Sequence, residues 1–507
     1  MPAGTALTFS ALLVFTSSTF VSSTLASSAY AAPASGADRE LSPAGTTFEL
    51  TACTLTGSRG IESIEAECGN LQRPENPEQP EGRQISLRVA VIRSPSPAPE
   101  PDAFTLINGG PGGSSISLYA DSASAFAAIL LHRDIVVVDQ RGTGSSAPLR
   151  CAGLDDLTDG LVPGSIAVAT KECLQSLPGE PGNYTTSAAV ADLEAARAAL
   201  GYARFNVYAV SYGTRVAQHF ARRYPASVRT LILDGILPAD VPLGPNAAFN
   251  AQQTLEQIFS RCAKDTHCAE AFPDLPATFA ALQSRLRTAA VEITLPHPVQ
   301  GTAHAMAIGY PHLLMVVRLL SYSPETAALI PLVIQEAQRD ANFTPLAANA
   351  LQLQSDLDNA IGVGMHNSVV CTEDVPFIGE VNWPALDATY MGADQVRALQ
   401  TICQHWPAGP LDNDLRTPLV SDVPALLLSG EFDPITPPRY GDAVAAQLSN
   451  ALHITAPGQG HGVFARGCLP RLMSEFVEQA DWRALDTACV DRLQPTPFFI
   501  NLMGPSP

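Results

Sequence analysis

The chain has 507 residues, of which 46% are hydrophobic, and this share excludes an intrinsically disordered protein. Its formal net charge of -20 argues against nucleic acid or an anionic lipid surface as a partner. Because the length exceeds what one ordinary core needs, we expect one large α/β domain with a substantial insertion, or two domains.

The N-terminus has most features of an export signal. An apolar stretch from Ala6 to Phe15 precedes small polar residues, and Ala29-Tyr30-Ala31 offers a cleavage site. The usual positive charge at the start is missing, since no Lys or Arg precedes Arg39. The apolar stretch is too short to cross a membrane. We therefore predict a signal peptide over residues 1–31 and an exported protein, periplasmic or extracellular, without a stable membrane anchor.

Ten cysteines support export independently. An even count in an exported chain favours disulfides over metal ligands, and we expect neither a metal nor a cofactor. Local pairing predicts the disulfides Cys53–Cys68, Cys151–Cys173, Cys262–Cys268, Cys371–Cys403 and Cys468–Cys489. Other pairings stay open, because spacing alone does not fix connectivity.

The first half of the chain predicts a mainly parallel sheet. After a lead-in rich in Pro, Gly and Glu, residues Ile85 to Val91 alternate as a half-buried strand does. The apolar runs Phe104–Ile107 and Ile135–Val138 predict strands buried on both faces. The loop between them, from Asn108 to Ser115, is rich in glycine but lacks the lysine of a phosphate-binding loop. We interpret it as half of an oxyanion hole with Gly110 as donor, and a loop that merely turns the chain is the alternative.

A serine follows the next predicted strand, Phe205–Val210, and apolar residues after it recur at helical spacing. Ser211 therefore lies on a strand-to-helix turn. The segment from Ala209 to Gly213 fits a nucleophile elbow, with alanine in the first glycine position. The backbone N–H of Tyr212, at the helix N-terminus, is the second predicted oxyanion donor. An ordinary turn at Ser211 is the alternative.

The pattern then changes from strands to helices. Residues 187–200 predict a helix and Arg229–Leu233 a strand, whereas from about Pro238 to Thr417 apolar residues recur at helical spacing. Ala425–Leu428 resumes the strand pattern. The predicted organisation is a first core part over residues 32–240, a largely helical lid over 241–417 and a last core part over 418–507.

A nucleophilic serine needs a base and an orienting carboxylate. His461 lies in a glycine-rich loop after the last strand-like residues, which makes it the predicted base. Asp433 ends the strand that begins at Ala425 and is the predicted acid. Asp234 is the competitor, because some enzymes place the acid after the preceding strand.

Three motifs in this order resemble the proline iminopeptidase and tripeptidyl aminopeptidase branch of the α/β-hydrolases: the Asn108–Gly113 loop, the Asp139–Ser146 loop and the Ser211 elbow. The corresponding first loop of that branch usually begins His-Gly-Gly-Pro-Gly, whereas this chain has Asn108. The C-terminal segment is similar to the tripeptidyl aminopeptidase-like module, with Cys403–Pro407, Gly430–Pro437, Gly460–Gly462 and the Cys468/Cys489 couple in its order. The resemblance implies an α/β-hydrolase fold with an inserted helical lid, and a cis bond before Pro111.

The resemblance also implies a function. We expect an exported serine aminopeptidase that removes one to three residues from a peptide with a free N-terminus, with Ser211, His461 and Asp433 as catalytic residues. Relatives bind the substrate's α-ammonium with acidic lid residues, which implies this role for Glu373 and Asp374. Two solvated loop acids are the alternative. A carboxylesterase or lipase on the same fold, and a catalytically silent binding module, are the other candidate functions.

Overall fold

The computed structural model describes residues 48–57, 60, 63–151, 163–298 and 300–505. The strands are β1 (Thr51–Thr56), β2 (Ser63–Pro74), β3 (Gln84–Ile92), β4 (Ala103–Ile107), β5 (Ile135–Val138), β6 (Phe205–Val210), β7 (Val228–Asp234), β8 (Val291–Pro296), β9 (Ala303–Ile308), β10 (Ala425–Gly430), β11 (Ala451–Ala456), β12 (Phe499–Asn501) and β13 (Gly504–Pro505).

The helices are α1 (Ser115–Leu130), α2 (Pro163–Ser176), α3 (Thr186–Ala199), α4 (Tyr212–Arg223), α5 (Pro245–Lys264), α6 (Thr266–Ala271), α7 (Leu275–Thr288), α8 (Tyr310–Leu320), α9 (Pro324–Ala327), α10 (Ile330–Gln338), α11 (Thr344–Ala360), α12 (Val363–Val369), α13 (Trp383–Asp387), α14 (Asp394–Cys403), α15 (Pro438–Ala445) and α16 (Leu469–Gln479). A π-helical turn, Val370–Asp374, follows α12.

Nine strands form the main sheet in the order β1-β2-β3-β5-β4-β6-β7-β10-β11. From β5 to β11 every neighbouring pair is parallel, and β1, β2, β3 and β5 pair antiparallel at the other side. The central strands β4, β5, β6 and β10 are buried along their whole length, as strands covered on both faces must be. The predicted mostly parallel central sheet is confirmed.

Helices cover both faces of this sheet. Val190 of α3, Val216 of α4 and Val444 of α15 pack in the core on one face. Phe126 of α1 and Phe476 of α16 pack in the core on the other face. The carboxyl ends of the parallel strands therefore remain the part of the sheet where loops can assemble a site.

The lead-in before Arg83 contributes two strands to the main sheet, which is more than its sequence indicates. Its strands β1 and β2 extend the main sheet, and the Cys53–Cys68 disulfide joins them. Strand β2 was not predicted, because Glu65 and Glu67 interrupt its apolar pattern. β2 lies next to the edge strand of the sheet, and one of its two faces is exposed to solvent. The exposed face explains why glutamates interrupt the apolar pattern.

The chain between β7 and β10 has its own hydrophobic core. Helices α5 to α14 occupy this part, and residues such as Leu255, Leu282, Leu313 and Leu346 pack together there. The largely helical character agrees with the predicted lid, but the hairpin β8–β9 was not predicted. The side chains of both strands alternate between more and less exposed positions, as in a hairpin on the protein surface. Each strand has only 6 residues, so its sequence pattern is short. We call residues 241–417 the insert.

All five predicted disulfides are present. The C-terminal end of the chain packs against the insert, because Phe498 lies in the same hydrophobic core as the helices of the insert. The guanidinium of Arg261 lies 4.0 Å from the centre of the Phe498 ring, and the N–H of Phe499 donates to the carbonyl of Ala328. These tertiary contacts link the chain end to the insert.

The predicted signal peptide over residues 1–31 lies outside the described residues. Within the described part, the helices are too short or too polar to cross a membrane.

Candidate active site

Ser211 lies on a sharp turn between β6 and α4. Its φ of 59° and ψ of -130° place it in a region that side-chain-bearing residues rarely adopt. The turn is held by the Ser211 N–H, which donates to the carbonyl of Asp234 at 2.9 Å. Gly213 is needed because a Cβ there would lie 2.5 Å from the carbonyl oxygen of Ile107. The local geometry is that of a nucleophile elbow.

The predicted acid and base are in direct contact. His461 Nδ1 lies 2.7 Å from Asp433 Oδ2, and the Asp433 side chain is completely buried. Asp433 Oδ1 accepts the backbone N–H groups of Ile435 and Thr436 at 2.9 and 2.8 Å. These bonds fix the carboxylate, so that it can hold the imidazole with its proton on Nδ1.

Thr436 is a member of this network that sequence reasoning missed. Its hydroxyl lies 2.8 Å from Asp433 Oδ2 and 3.1 Å from His461 Nδ1. A partial signal was present in the sequence, because an aspartate side chain often accepts from the backbone two residues further on in a turn, which places the following residues around the carboxylate.

The base is placed next to the nucleophile by the loops after neighbouring strands. A Cβ on Gly235 would lie 3.0 Å from Cε1 of His461, and the preceding residue, Asp234, holds the Ser211 backbone. Within the described residues the Ser211 hydroxyl makes no hydrogen bond, to His461 or to any other group. The Ser–His bond is therefore not made in this state, which is common before substrate binds.

The insert also holds the base. The N–H of His461 donates to the carbonyl of Tyr322 at 2.7 Å, and the rings of the two residues meet edge to face with centroids 5.2 Å apart. Tyr322 follows α8, in the insert. Sequence reasoning did not identify this residue, since nothing in its neighbourhood distinguishes it from other aromatic residues of the insert.

The charge environment raises the pKa of His461 above its ordinary value of 6.5. Burial alone would lower this pKa, but the hydrogen-bonded Asp433 carboxylate and the nearby Asp234 outweigh burial. A stronger base results, and it must be neutral to accept a proton from serine.

Asp234, the competing acid, has a different role in the structure. It accepts the backbone N–H groups of Val463 and Phe464, the nearest at 2.8 and 2.9 Å, and the hydroxyl of Tyr208 at 3.1 Å. Burial raises its pKa to about 6. Asp234 thus anchors the chain just after His461, whereas Asp433 contacts the imidazole.

The two predicted oxyanion donors lie on either side of the serine. A Cβ on Gly109 would lie 2.6 Å from Cβ of Ser211, so the glycine-rich loop passes directly beside the elbow. Neither the N–H of Gly110 nor that of Tyr212 makes a hydrogen bond within the described part of the chain. Both are thus available to an oxyanion. The Gly110–Pro111 bond is cis, as the resemblance implies.

Polar side chains support the glycine-rich loop. Asn108 accepts from the N–H of Gly109 at 2.7 Å and donates to the carbonyl of Ser114 at 2.9 Å. Asp139 accepts from the Ser114 hydroxyl at 2.7 Å, and Arg141 forms an ion pair with Asp192 at 2.7 Å. Asn108, which replaces the usual histidine, therefore serves as a partner for backbone groups.

The structure places Glu373 and Asp374, the predicted ligands of the substrate's α-ammonium, in the π-helical turn. Both side chains are completely buried there. Glu373 accepts the N–H and the hydroxyl of Thr186 at 2.6 and 2.7 Å. Asp374 accepts from Arg215 at 2.9 Å and from the N–H of Leu243 at 2.8 Å. These acids connect the insert to the helices around the elbow.

Among the residues that the structure describes, one group outside the site combines metal-ligating side chains. The ligand atoms of His219, Asp412 and Asp414 lie within 4.8 Å of one another. His219 Nε2 already lies 2.8 Å from Asp412, and Nδ1 faces the guanidinium of Arg222 at 3.4 Å. Because that positive charge opposes a metal ion, we assign this group to ion pairing.

A cavity of about 830 Å³ lies in the insert, away from the predicted catalytic residues. Its lining includes Phe259, Phe272 and Phe279 together with Glu256 and Asp274. None of Ser211, Asp433 and His461 lines it, so it is separate from the catalytic group.

Comparison with known proteins identifies the family. Residues 102–467 match the family model described as the alpha/beta hydrolase fold, and they form well over half of the chain. The chain belongs to the α/β-hydrolase family. With the serine on the elbow and the Asp433–His461 pair, it is a serine hydrolase.

The relatives include proteins with peptidase names. The serine protease Hip1 of Mycobacterium tuberculosis is 23% identical over 470 residues, covering 85% of this chain and 89% of that protein. The tripeptidyl aminopeptidase of Streptomyces lividans is 29% identical over 196 residues, covering 34% and 35%. Carboxylesterase B of M. tuberculosis is 26% identical over 430 residues, covering 78% and 80%. The resemblance to the tripeptidyl aminopeptidase branch is confirmed.

Proposed function

We propose that this protein is an exported serine aminopeptidase that removes one to three residues from the N-terminus of peptides. The observation that carries the proposal is the match along most of the chain to a relative named a serine protease. The contact between His461 and Asp433 beside the elbow supplies the chemistry such a peptidase needs. Five disulfides support export, because such bonds persist in oxidising compartments.

The proposed reaction passes through an acyl-enzyme. Ser211 attacks the scissile carbonyl carbon while His461 accepts the hydroxyl proton and then delivers it to the leaving amine. Asp433 keeps the imidazole oriented and stabilises its cation. The N–H groups of Gly110 and Tyr212 bind the oxyanion, and each donor is worth about 3 kcal/mol of barrier. Water then releases the acyl group by the reverse proton transfers.

Three substrates test the proposal: a peptide amide with a free amine, its N-acetyl counterpart with the same leaving amine, and a short acyl ester. An aminopeptidase is expected to cleave the free-amine peptide most efficiently. A preference for the ester would support the second candidate, a carboxylesterase, which the similarity to carboxylesterase B favours. The absence of any turnover would reject both.

The role first expected of Glu373 can be tested in the same assay. A residue that binds the α-ammonium would, when changed to alanine, weaken only the substrates with a free N-terminus. Since Glu373 is completely buried, we expect equal losses on the peptide and the ester. A loss confined to free-amine peptides would instead restore the original role and require an opened insert.

A further inference from the structure

A small cavity lies between helix α5 of the insert and residues 431–439, the segment that carries Asp433. We call the cavity the α5 pocket and the segment the acid segment. The pocket has a volume of about 220 Å³, below the roughly 300–1,000 Å³ of pockets for drug-sized ligands, so it suits a small molecule. Asp433 lines it, whereas Ser211 and His461 do not. The pocket therefore borders the catalytic acid without including the nucleophile or the base.

Helix α5 contributes a polar face to this pocket. Four polar residues at spacings of three and four positions line it: Asn250, Gln253, Thr254 and Gln257. This spacing places them on one face of the helix, while Leu255 and Ile258 pack in the core of the insert. Three amides and a hydroxyl in a row offer hydrogen bonds rather than apolar surface. The pocket is therefore suited to a polar occupant.

Two of these side chains are buried, and they differ in how their polar groups are satisfied. Asn250 is 2% exposed; its amide donates to the carbonyl of Ile435 at 2.8 Å, and its oxygen accepts from Arg439. Thr254 is also 2% exposed, but its hydroxyl makes no hydrogen bond to any described residue. Leaving a buried hydroxyl unpaired is costly. Because Thr254 lines the pocket, its partner must come from whatever occupies the pocket.

Two opposite charges line the same pocket without pairing. Glu431 accepts the N–H of Gly458 through Oε2 at 2.8 Å and forms no ion pair in the part of the chain that the structure describes. Arg439 donates to two amide oxygens, that of Gln253 at 3.2 Å and that of Asn250, and no carboxylate of a described residue pairs with it. Since these two charges share a small pocket but do not reach each other, a molecule that carries both signs can join them.

We propose that the α5 pocket binds a small free amino acid. The α-carboxylate of this ligand pairs with Arg439, its α-ammonium pairs with Glu431, and Thr254 supplies a further hydrogen bond. The volume of the pocket limits the ligand to amino acids of about the size of alanine or serine. The binding does not depend on the proposed peptidase function. An aminopeptidase that releases single residues would also produce this ligand, and only that link rests on the proposed function.

A bound amino acid would connect the two ends of the acid segment. Glu431 precedes Asp433 by two residues, and Arg439 follows it by six. Arg439 is in turn hydrogen-bonded to Asn250 and Gln253 of α5. The ligand therefore holds the segment that carries the catalytic acid against the insert. Because it binds only the folded protein, it should raise the unfolding temperature once its concentration exceeds the dissociation constant.

Titration calorimetry of the wild-type protein tests the chemistry of the ligand. We expect alanine to bind with a dissociation constant on the order of 1 mM, as suits so small a ligand. Ethylamine lacks the carboxylate and propionate lacks the ammonium, so each should bind about 10-fold more weakly or worse. Tryptophan, which is too large for the pocket, should not bind. Equal affinity for alanine and for any one of these three compounds would overturn the proposal.

Variants test whether the ligand lies in the pocket. Glu431→Gln and Arg439→Gln each remove one charge and should weaken alanine binding by about 10- to 100-fold, whereas Arg439→Lys should retain part of the affinity. Arg471→Gln, which breaks an ion pair with Glu475 on α16, is the matched control and should bind alanine as the wild type does. Unchanged affinity in both pocket variants would reject the site. If these variants do not fold, the comparison of ligands on the wild type decides alone.

The same titrations separate this site from the proposed function. Alanine binding by a protein that cleaves no peptide would reject the peptidase function and support the site, whereas peptide cleavage without alanine binding would reject the site alone. Ser211→Ala should bind alanine as tightly as the wild type, because Ser211 does not line the pocket. A loss of alanine binding in Ser211→Ala would place the ligand at the nucleophile and overturn the proposal.

Discussion

The α/β core and the insert place their charged groups in different ways. In the core, Asp433 and His461 follow strands of one sheet and meet at 2.7 Å. In the insert, Glu373 and Asp374 are withdrawn into the interior, where Arg215 pairs with Asp374 and Thr186 donates to Glu373. The core thus supplies the acid and the base from strand ends, whereas the tertiary packing of the insert decides where its acids lie.

The largest expected effect comes from the core. Ser211→Ala should lower kcat by about a million-fold, because the nucleophile, base and acid act as a unit. Labelling by a fluorophosphonate should be lost together with turnover. Ser449→Ala, at an exposed surface serine, is the matched control and should leave kcat unchanged. Undiminished turnover in Ser211→Ala would refute the assignment of the nucleophile.

The two aspartates near the base give the next contrast. Asp433→Asn should lower kcat by about 10⁴-fold, because the amide favours the wrong imidazole tautomer. Loss of the carboxylate also removes the main cause of the raised His461 pKa, so the acid limb of the pH–rate profile should move to lower pH.

Asp234→Asn is the comparison variant. Since Asp234 holds the backbone of Val463 and Phe464, it should mainly affect stability. A larger loss of kcat in Asp234→Asn than in Asp433→Asn would exchange the two roles.

The core was predictable because its signals are local. Phe205–Val210 is a strand-length apolar run, and the small residues around Ser211 are required by a turn that leaves no room for side chains. Chain order then restricts the acid and base to loops after later strands, where Asp433 and His461 lie. Strand β2 escaped prediction for the converse reason, since its exposed face carries glutamates.

The insert was predictable only as a helical segment. The sequence around Glu373 does not distinguish a solvated acid, a substrate ligand and a buried partner of Thr186. That choice depends on how α12 and the π-helical turn pack against α3 and α4, which no local period specifies. The same holds for Tyr322, whose importance comes from its position beside His461.

Disulfides allow the two regions to be weakened separately. Changing Cys371 and Cys403 to serine in the insert should lower the free energy of unfolding by about 3 kcal/mol, as for a loop of this size. The Cys468–Cys489 disulfide of the core also closes a short loop, and its removal should lower the free energy of unfolding by about the same amount. Denaturant melts would measure both.

Activity separates the two disulfide variants. We expect a loss of turnover under native conditions only in the insert variant, because Cys371 lies in the π-helical turn that holds Glu373 against Thr186. An equal loss of turnover in both variants would show that the insert disulfide is no more important for positioning the elbow than the core disulfide.

The smallest effect concerns the pH dependence of stability. Burial raises the pKa of Glu373 to about 7, with Arg215 and the hydrogen bonds from Thr186 acting against this rise. The folded state therefore keeps a proton that the unfolded state has released. This stabilisation is complete below the ordinary pKa near 4.5 and is lost as the pH rises through about 7.

Glu373→Gln should remove this dependence, since the amide does not titrate. The wild type should lose about 2 kcal/mol more stability than the variant between pH 5 and pH 8. Urea melts at several pH values give this difference, and Glu325→Gln, at an exposed acid, should not reproduce it. If the wild type and Glu373→Gln lose stability in parallel, then Glu373 is ionised throughout, and Arg215 balances its charge more strongly than the 3.9 Å separation between them suggests.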